Sequence, residues 1–256
     1  MRRAAGLLLA ALVLVPASAG AGTARPPLAL TATPAHVSIA GSSRATVRVA
    51  NPGTTPLVVE VGRAGFSLDL RGRPQIVPRS ARHAATRWLT VWPHRFVLRP
   101  GSSRALTVSS RLPARFEPGD HDALVLLTTH PRRSAGVAVR LRVGVVVIVR
   151  APGRVVRRLV LRELRVRRAR GARALEVVVA NRGNVTERLA RERVRIWLLR
   201  RGARTALAAE PRDLRPRTSG VVVARYGARR GWRTVRVEIA SAEGGPVVRR
   251  TFRVKL

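Results

Sequence analysis

The chain contains no cysteine, a single lysine, one tyrosine and only 13 acidic residues against 50 basic ones. Without cysteine there is no disulfide, no thiolate metal ligand, no cysteine nucleophile and no acylated lipoprotein cysteine, so stability rests on burial. Aromatic residues are scarce at 4%. Beyond the N-terminus the longest apolar run is Val143 to Val149, seven residues, far below the roughly 20 that a membrane helix needs. Carboxylates are few and scattered, and nothing resembles a nucleophile elbow, an H-E-x-x-H pair or a phosphate-cradling glycine loop. The sequence therefore predicts neither an enzyme nor a cofactor.

What is abundant is arginine, which supplies 49 of the 50 basic residues beside Lys255 and sets the net charge at +37. Such one-sidedness, with abundant Ala, Gly, Val and Pro, is the imprint of GC-rich coding, and part of the charge is compositional. Arg2 and Arg3, the apolar stretch Gly6 to Val15, Pro16 and the small residues Ala17 to Ala21 follow the order of a charged n-region, an h-region and an A-x-A cleavage site. Ten apolar residues rise only about 15 Å as a helix, half of the ~30 Å hydrocarbon core. The expectation is a cleaved signal peptide over 1–21, cut after Ala19 or Ala21, and a secreted product.

Two copies of one unit follow. Arg44 to Gly53 (RATVRVANPG) is matched by Arg173 to Gly183 (RALEVVVANRG), and Leu98 to Ser103 (LRPGSS) by Leu214 to Ser219 (LRPRTS). Pro118 to His121 precedes an apolar run as Arg230 to Arg233 does. Within each copy the pattern alternates with period two, as half-buried strands require: Ala45, Val47 and Val49 on one face, Thr46 and Arg48 on the other. Val137 to Ile148 reads as one long last strand of the first copy. Ala151-Pro152-Gly153 punctuates the chain after it. The predicted fold is all-β, with two tandem immunoglobulin-like β-sandwich domains at 22–150 and 151–256. In the second, strands are expected near Val155 to Val166, Leu175 to Ala180, Val194 to Leu199, Val221 to Tyr226, Thr234 to Ile239 and Val247 to Val254.

Val47 to Gly53 (VRVANPG), Trp88 to Gly101 (WLTVWPHRFVLRPG) and Pro118 to Thr129 (PGDHDALVLLTT) give the first copy a resemblance to immunoglobulin-like domains of bacterial envelope proteins. It resembles the WxL-interacting cell-surface proteins and, more distantly, the periplasmic pilus chaperones. The first resemblance implies peptidoglycan contact through one domain and a protein partner through the other. The second implies donation of a strand to an unfinished fibre subunit, whose terminal carboxylate is held by two basic residues. Arg140 or Arg142 would supply one of these. The other has no counterpart, because Leu28 to Ala40 holds no Arg or Lys and only His36.

Four further features are candidates for function. Arg154, Arg157, Arg158, Arg162, Arg165, Arg167 and Arg168 crowd one stretch in which Glu163 is the only acid, a field that attracts polyanions. No aromatic residue lies among them, which argues against specific nucleic-acid recognition. Trp88 and Trp92 would share one strand face and form a platform for sugar rings, unless that face is covered. Glu117, Asp120, His121 and Asp122 could hold a hard cation; a sandwich-corner turn, with His121 replacing the corner tyrosine, is the preferred reading. The long last strand, if open on one edge, could be lent to a partner. The leading expectation is a secreted non-enzymatic protein that binds an anionic envelope polymer or a surface protein; the alternative is a chaperone-like assistant of fibre assembly.

Overall fold

The computed structural model describes residues 26–77, 84–130, 132–134, 137–169, 172–200, 203–227, 231–242 and 244–256. The leader expected at 1–21 lies outside them. The first copy contributes strands β1 (Thr31–Thr33), β2 (His36–Ala40), β3 (Arg44–Ala50), β4 (Leu57–Leu68), β5 (Pro74–Val77), β6 (Leu89–Trp92), β7 (Arg95–Leu98), β8 (Ser103–Ser110), β9 (Gly119–Thr129), β10 (Arg132–Ser134), β11 (Val137–Val139) and β12 (Arg142–Ala151). The second contributes β13 (Leu159–Ala169), β14 (Ala172–Asn181), β15 (Glu187–Leu189), β16 (Val194–Arg200), β17 (Ala203–Leu207), β18 (Arg212–Leu214), β19 (Ser219–Arg225), β20 (Trp232–Ala240) and β21 (Val247–Lys255).

In the first copy a sheet ordered β1-β3-β8-β6 packs on one ordered β2-β12-β9-β4, with β5 and β7 both pairing β4. Every second residue points inward: Val47 and Val49 from β3, Leu106 and Val108 from β8, Val125 and Leu127 from β9, and Val145, Val147 and Val149 from β12 make one core. The chain changes sheets between β1 and β2: β1 runs antiparallel to β3, whereas β2 runs parallel to β12. In the second copy the sheets are β13-β14-β19 and β17-β16-β20-β21. A separate core, including Leu175, Val177, Ile196, Leu198, Val235 and Val237, lies between them.

The repeated A-N-x-G turn turns out to be a repeated device. The Asn51 side-chain amide donates to the carbonyls of Thr55 (2.8 Å) and Leu98 (3.2 Å), while its oxygen accepts the Gly53 N–H at 3.0 Å. Asn181 donates to Val185 (2.8 Å) and Leu214 (3.0 Å) and accepts from Gly183 at 2.9 Å. Both asparagines are wholly buried. Each thereby ties its own turn to the L-R-P segment, the second of the motifs that recur in the sequence.

One expected strand is interrupted. Val137 to Ile148 does not run unbroken: β11 folds back on β10 as a short hairpin, and β12 begins only at Arg142. The break occurs because Leu141 donates its N–H to the Thr129 hydroxyl at 2.9 Å, a side chain standing in for the next ladder carbonyl. The opening strand of the second copy starts at Leu159 and not at Val155. Val155 and Val156 lie in the exposed connector, where Val156 donates its N–H to the Asn184 Oδ1 at 2.7 Å.

Candidate functional site

Strand β12 is paired along its whole length on one side and only partly on the other. Its ladder with β9 runs from Arg142 to Ala151, whereas β2 covers only Val146 to Arg150. The Val146 N–H, which donates to the Ala35 carbonyl at 3.0 Å, is the first bond on that second side. Because alternate residues of a strand direct their backbone groups to the same side, Gly144 and Arg142 present N–H and C=O along the uncovered stretch. No described strand pairs with it there. Leu141 and Val143 are partly buried against the core, and Val139 just before them is exposed. An open polar edge thus carries an alternating apolar row, which is what a strand added to another sheet requires.

Arg140 and Arg142 are both exposed and lie at this open end. His36 is opposite Val146, four residues further along β12, so strand rise sets it about 13 Å from Arg142. The second basic residue of a clamp has no counterpart in the sequence, and His36 does not stand beside Arg142. His36 lines a cleft of about 430 Å³ between the sandwiches with Arg150, Thr186, Arg188 and Asp213. Burial first, then the nearby Arg215 charge, lowers its pKa from the ordinary histidine value.

Behind that cleft the two sandwiches are closely joined. Asp120 receives a two-pronged bond from Arg150 (2.7 and 3.0 Å) and the N–H of Thr186 at 2.7 Å. Asp122 pairs with Arg215, whose guanidinium carbon lies 3.9 Å from the Phe66 ring centroid. Asn184 accepts the Asp120 N–H at 2.8 Å and donates to the Pro118 carbonyl at 3.0 Å and the Arg154 carbonyl at 2.9 Å. Gly119, with φ of +114°, is required here, since a Cβ would lie 2.1 Å from the Asn184 carbonyl oxygen.

The cluster Glu117, Asp120, His121 and Asp122 is spread over separate partners. Its carboxylates are drawn apart to three arginines, Glu117 to Arg217 at 2.7 Å, and among the described residues no group of three ligating side chains is placed to hold a metal ion. His121 donates from Nε2 to the Glu117 carbonyl (2.7 Å) and packs its ring 4.3 Å from Trp88.

That contact covers Trp88, which therefore forms no aromatic platform with Trp92. Trp88 closes a 3-10 turn over Ala85–Arg87, and packs on His121 and the core; Trp92, on the edge strand β6, is 64% exposed and stands alone. Of the seven arginines, three are paired with acids among the described residues. Arg157 lies half-buried against Glu187 (3.0 Å), Arg165 pairs with Glu163, and Arg167 binds Glu176 at 2.9 Å. Arg168 reaches the Lys255 carbonyl at 3.2 Å, and Arg154, Arg158 and Arg162 are exposed. The junction residues Arg215, Asn184 and Thr186 had no local signal in the sequence, because each acts on a partner in the other copy.

No protein-family model and no curated protein matches the chain. Solved structures do. A chaperone–tip adhesin complex of CFA/I fimbriae biogenesis is similar at 12% identity with a TM-score of 0.51, covering 87% of this chain and 98% of that one. The class 5 fimbriae chaperone CfaA is 11% identical with a TM-score of 0.49, over 87% of this chain and 98% of its own. A chaperone–tip subunit pre-assembly complex from the archaic chaperone–usher Csu pili of Acinetobacter baumannii is 12% identical with a TM-score of 0.47, over 88% and 97%. The first likeness defines the fold: an all-β, two-sandwich architecture shared over nearly the whole of both chains.

Proposed function

We propose that this protein is an exported assembly chaperone that holds a surface-protein subunit by adding the open edge of β12 to the subunit's unfinished sheet. The observation that carries this reading is the mismatch along β12, covered by β9 over its full length but by β2 only from Val146. Leu141 and Val143, with the exposed Val139 before them, provide the alternating side chains that would fill alternate pockets of the captured sheet. A fold shared with a chaperone solved in complex with a tip adhesin supports the same reading, and the leader motif at 1–21 supports export. Capture rests on the strand edge and not on a carboxylate clamp of two basic residues, since Arg140 and Arg142 have no basic counterpart on the opening strands but His36, which sits away from them.

Gly144→Pro tests this directly. It deletes an N–H on the open side and leaves the bonds to β9, which belong to the alternate residues. Affinity purification from the native host should recover one secreted subunit in stoichiometric amount with the natural chain and little with the variant, at an unchanged circular-dichroism spectrum. Equal recovery with Gly144→Pro rejects strand capture.

A further inference from the structure

The outer face of the sheet β17-β16-β20-β21 carries two tryptophans and a row of arginines. Its inward side chains, Ile196, Leu198, Val235 and Val237, are in the core, so the residues between them face solvent. Trp197 on β16 lies opposite Arg236 on β20 and Ala206 on β17. Trp232, at the start of β20, is 58% exposed and lies opposite Lys255 of β21.

Each indole carries a guanidinium over its ring, Arg204 at 5.4 Å from Trp197 and Arg253 at 5.2 Å from Trp232. Arg195 and Arg249 extend the same face on either side of Glu238, its one acid, which pairs with Arg249 at 3.4 Å. Arg195, Arg204, Arg236 and Arg253 are exposed and have no acidic partner among the described residues.

We infer that this face binds an acidic polysaccharide, the indoles packing on sugar rings and the arginines pairing with the carboxylates or phosphates between them. Charge complementarity selects a polyanion, and exposed Trp232 with half-buried Trp197 selects one with flat apolar faces. Trp232 is four residues from the row of Trp197 and one strand across, so the rings are about 14 Å apart. That is roughly four times the ~3.4 Å step of stacked bases. The indoles cannot be consecutive rungs of one base stack. They can hold separate rings of a stiff sugar polymer. This surface lies in the second sandwich, away from β12, and its action does not depend on strand capture.

Calorimetry on the mature chain at physiological ionic strength tests the inference with three probes: polygalacturonate, neutral dextran and an oligothymidylate. Polygalacturonate should bind, and dextran should not. Trp232→Ala and the pair Arg236→Gln/Arg253→Gln should each weaken polygalacturonate about tenfold, the cost of one good aromatic or charged contact. The charge-matched pair Arg44→Gln/Arg99→Gln on the first sandwich should leave affinity within about twofold. Unchanged affinity in Trp232→Ala, equal losses in the two arginine pairs, or tighter binding of the oligothymidylate would each overturn it. An unchanged melting temperature in Trp232→Ala, expected for so exposed a side chain, confirms that the loss is one of contact.

Discussion

Asp122 of the first sandwich and Arg215 of the second form an ion pair across the junction, with side chains only 18% and 6% exposed. Phe66 closes over the guanidinium. Two charges have been taken out of water here, and neither sandwich can lose its member without stranding the other. Burial, the largest influence on Asp122, holds its carboxyl above the usual range despite Arg215.

Removing one partner should therefore cost far more than removing both. Arg215→Met alone is expected to destabilise the chain by roughly 3–5 kcal/mol, whereas Asp122→Leu combined with Arg215→Met should recover most of that loss. Urea unfolding of the two single variants and the double measures the cycle. A double variant as unstable as Arg215→Met would refute the account.

Asp120, two residues away, behaves in the opposite sense. Burial pushes its carboxyl up, but the bonds from Arg150 and the Thr186 N–H outweigh burial and leave it below the ordinary value. A lowered folded pKa means that Asp120 contributes its full stability above the unfolded carboxylate pKa of about 3.9 and loses it as pH falls through the folded value. Asp120→Asn should accordingly reduce stability at neutral pH and flatten the acid limb below about pH 4. Denaturant midpoints measured across that range check both halves of the expectation.

The paired asparagines give a third. Asn51→Ala strands two carbonyls and the Gly53 N–H in a dry interior, and Asn181→Ala does the same in the other copy. Each should cost about 3 kcal/mol, a typical sum for several buried groups left unpaired. Hydrogen exchange should localise the loosening to β3 and β8 in the first case and to β14 and β19 in the second. Loss spread evenly over both sandwiches in either variant would contradict it.

Much of this architecture was legible because strand alternation is a local property. Val47 and Val49, or Ile196 and Leu198, declare their inward face within a few residues, and the A-N-x-G turn declared itself by recurring. What escaped was decided by neighbours remote in sequence. The end of the long last strand depends on a hydroxyl of Thr129 in the preceding strand. Trp88 was displaced from the face of Trp92 by a 3-10 turn, and its cover is His121 of β9. Arg157 looked like part of a cationic stripe, yet the carboxylate of Glu187, 1% exposed, lies against it. The aromatic face sought at Trp88 and Trp92 occurs instead at Trp197 and Trp232, whose association depends on β16 pairing with β20.

The uncovered length of β12 also carries a hazard. An edge that can extend a subunit's sheet can equally extend the sheet of a second copy, and backbone groups alone do not tell the two apart. Arg140 and Arg142 sit at that edge. When two such edges meet, cation faces cation, whereas a subunit lacking that charge meets no repulsion. On the proposed strand-capture reading, the charge at the open end would be a filter on company, discouraging self-association at the place where the chain would join a neighbour.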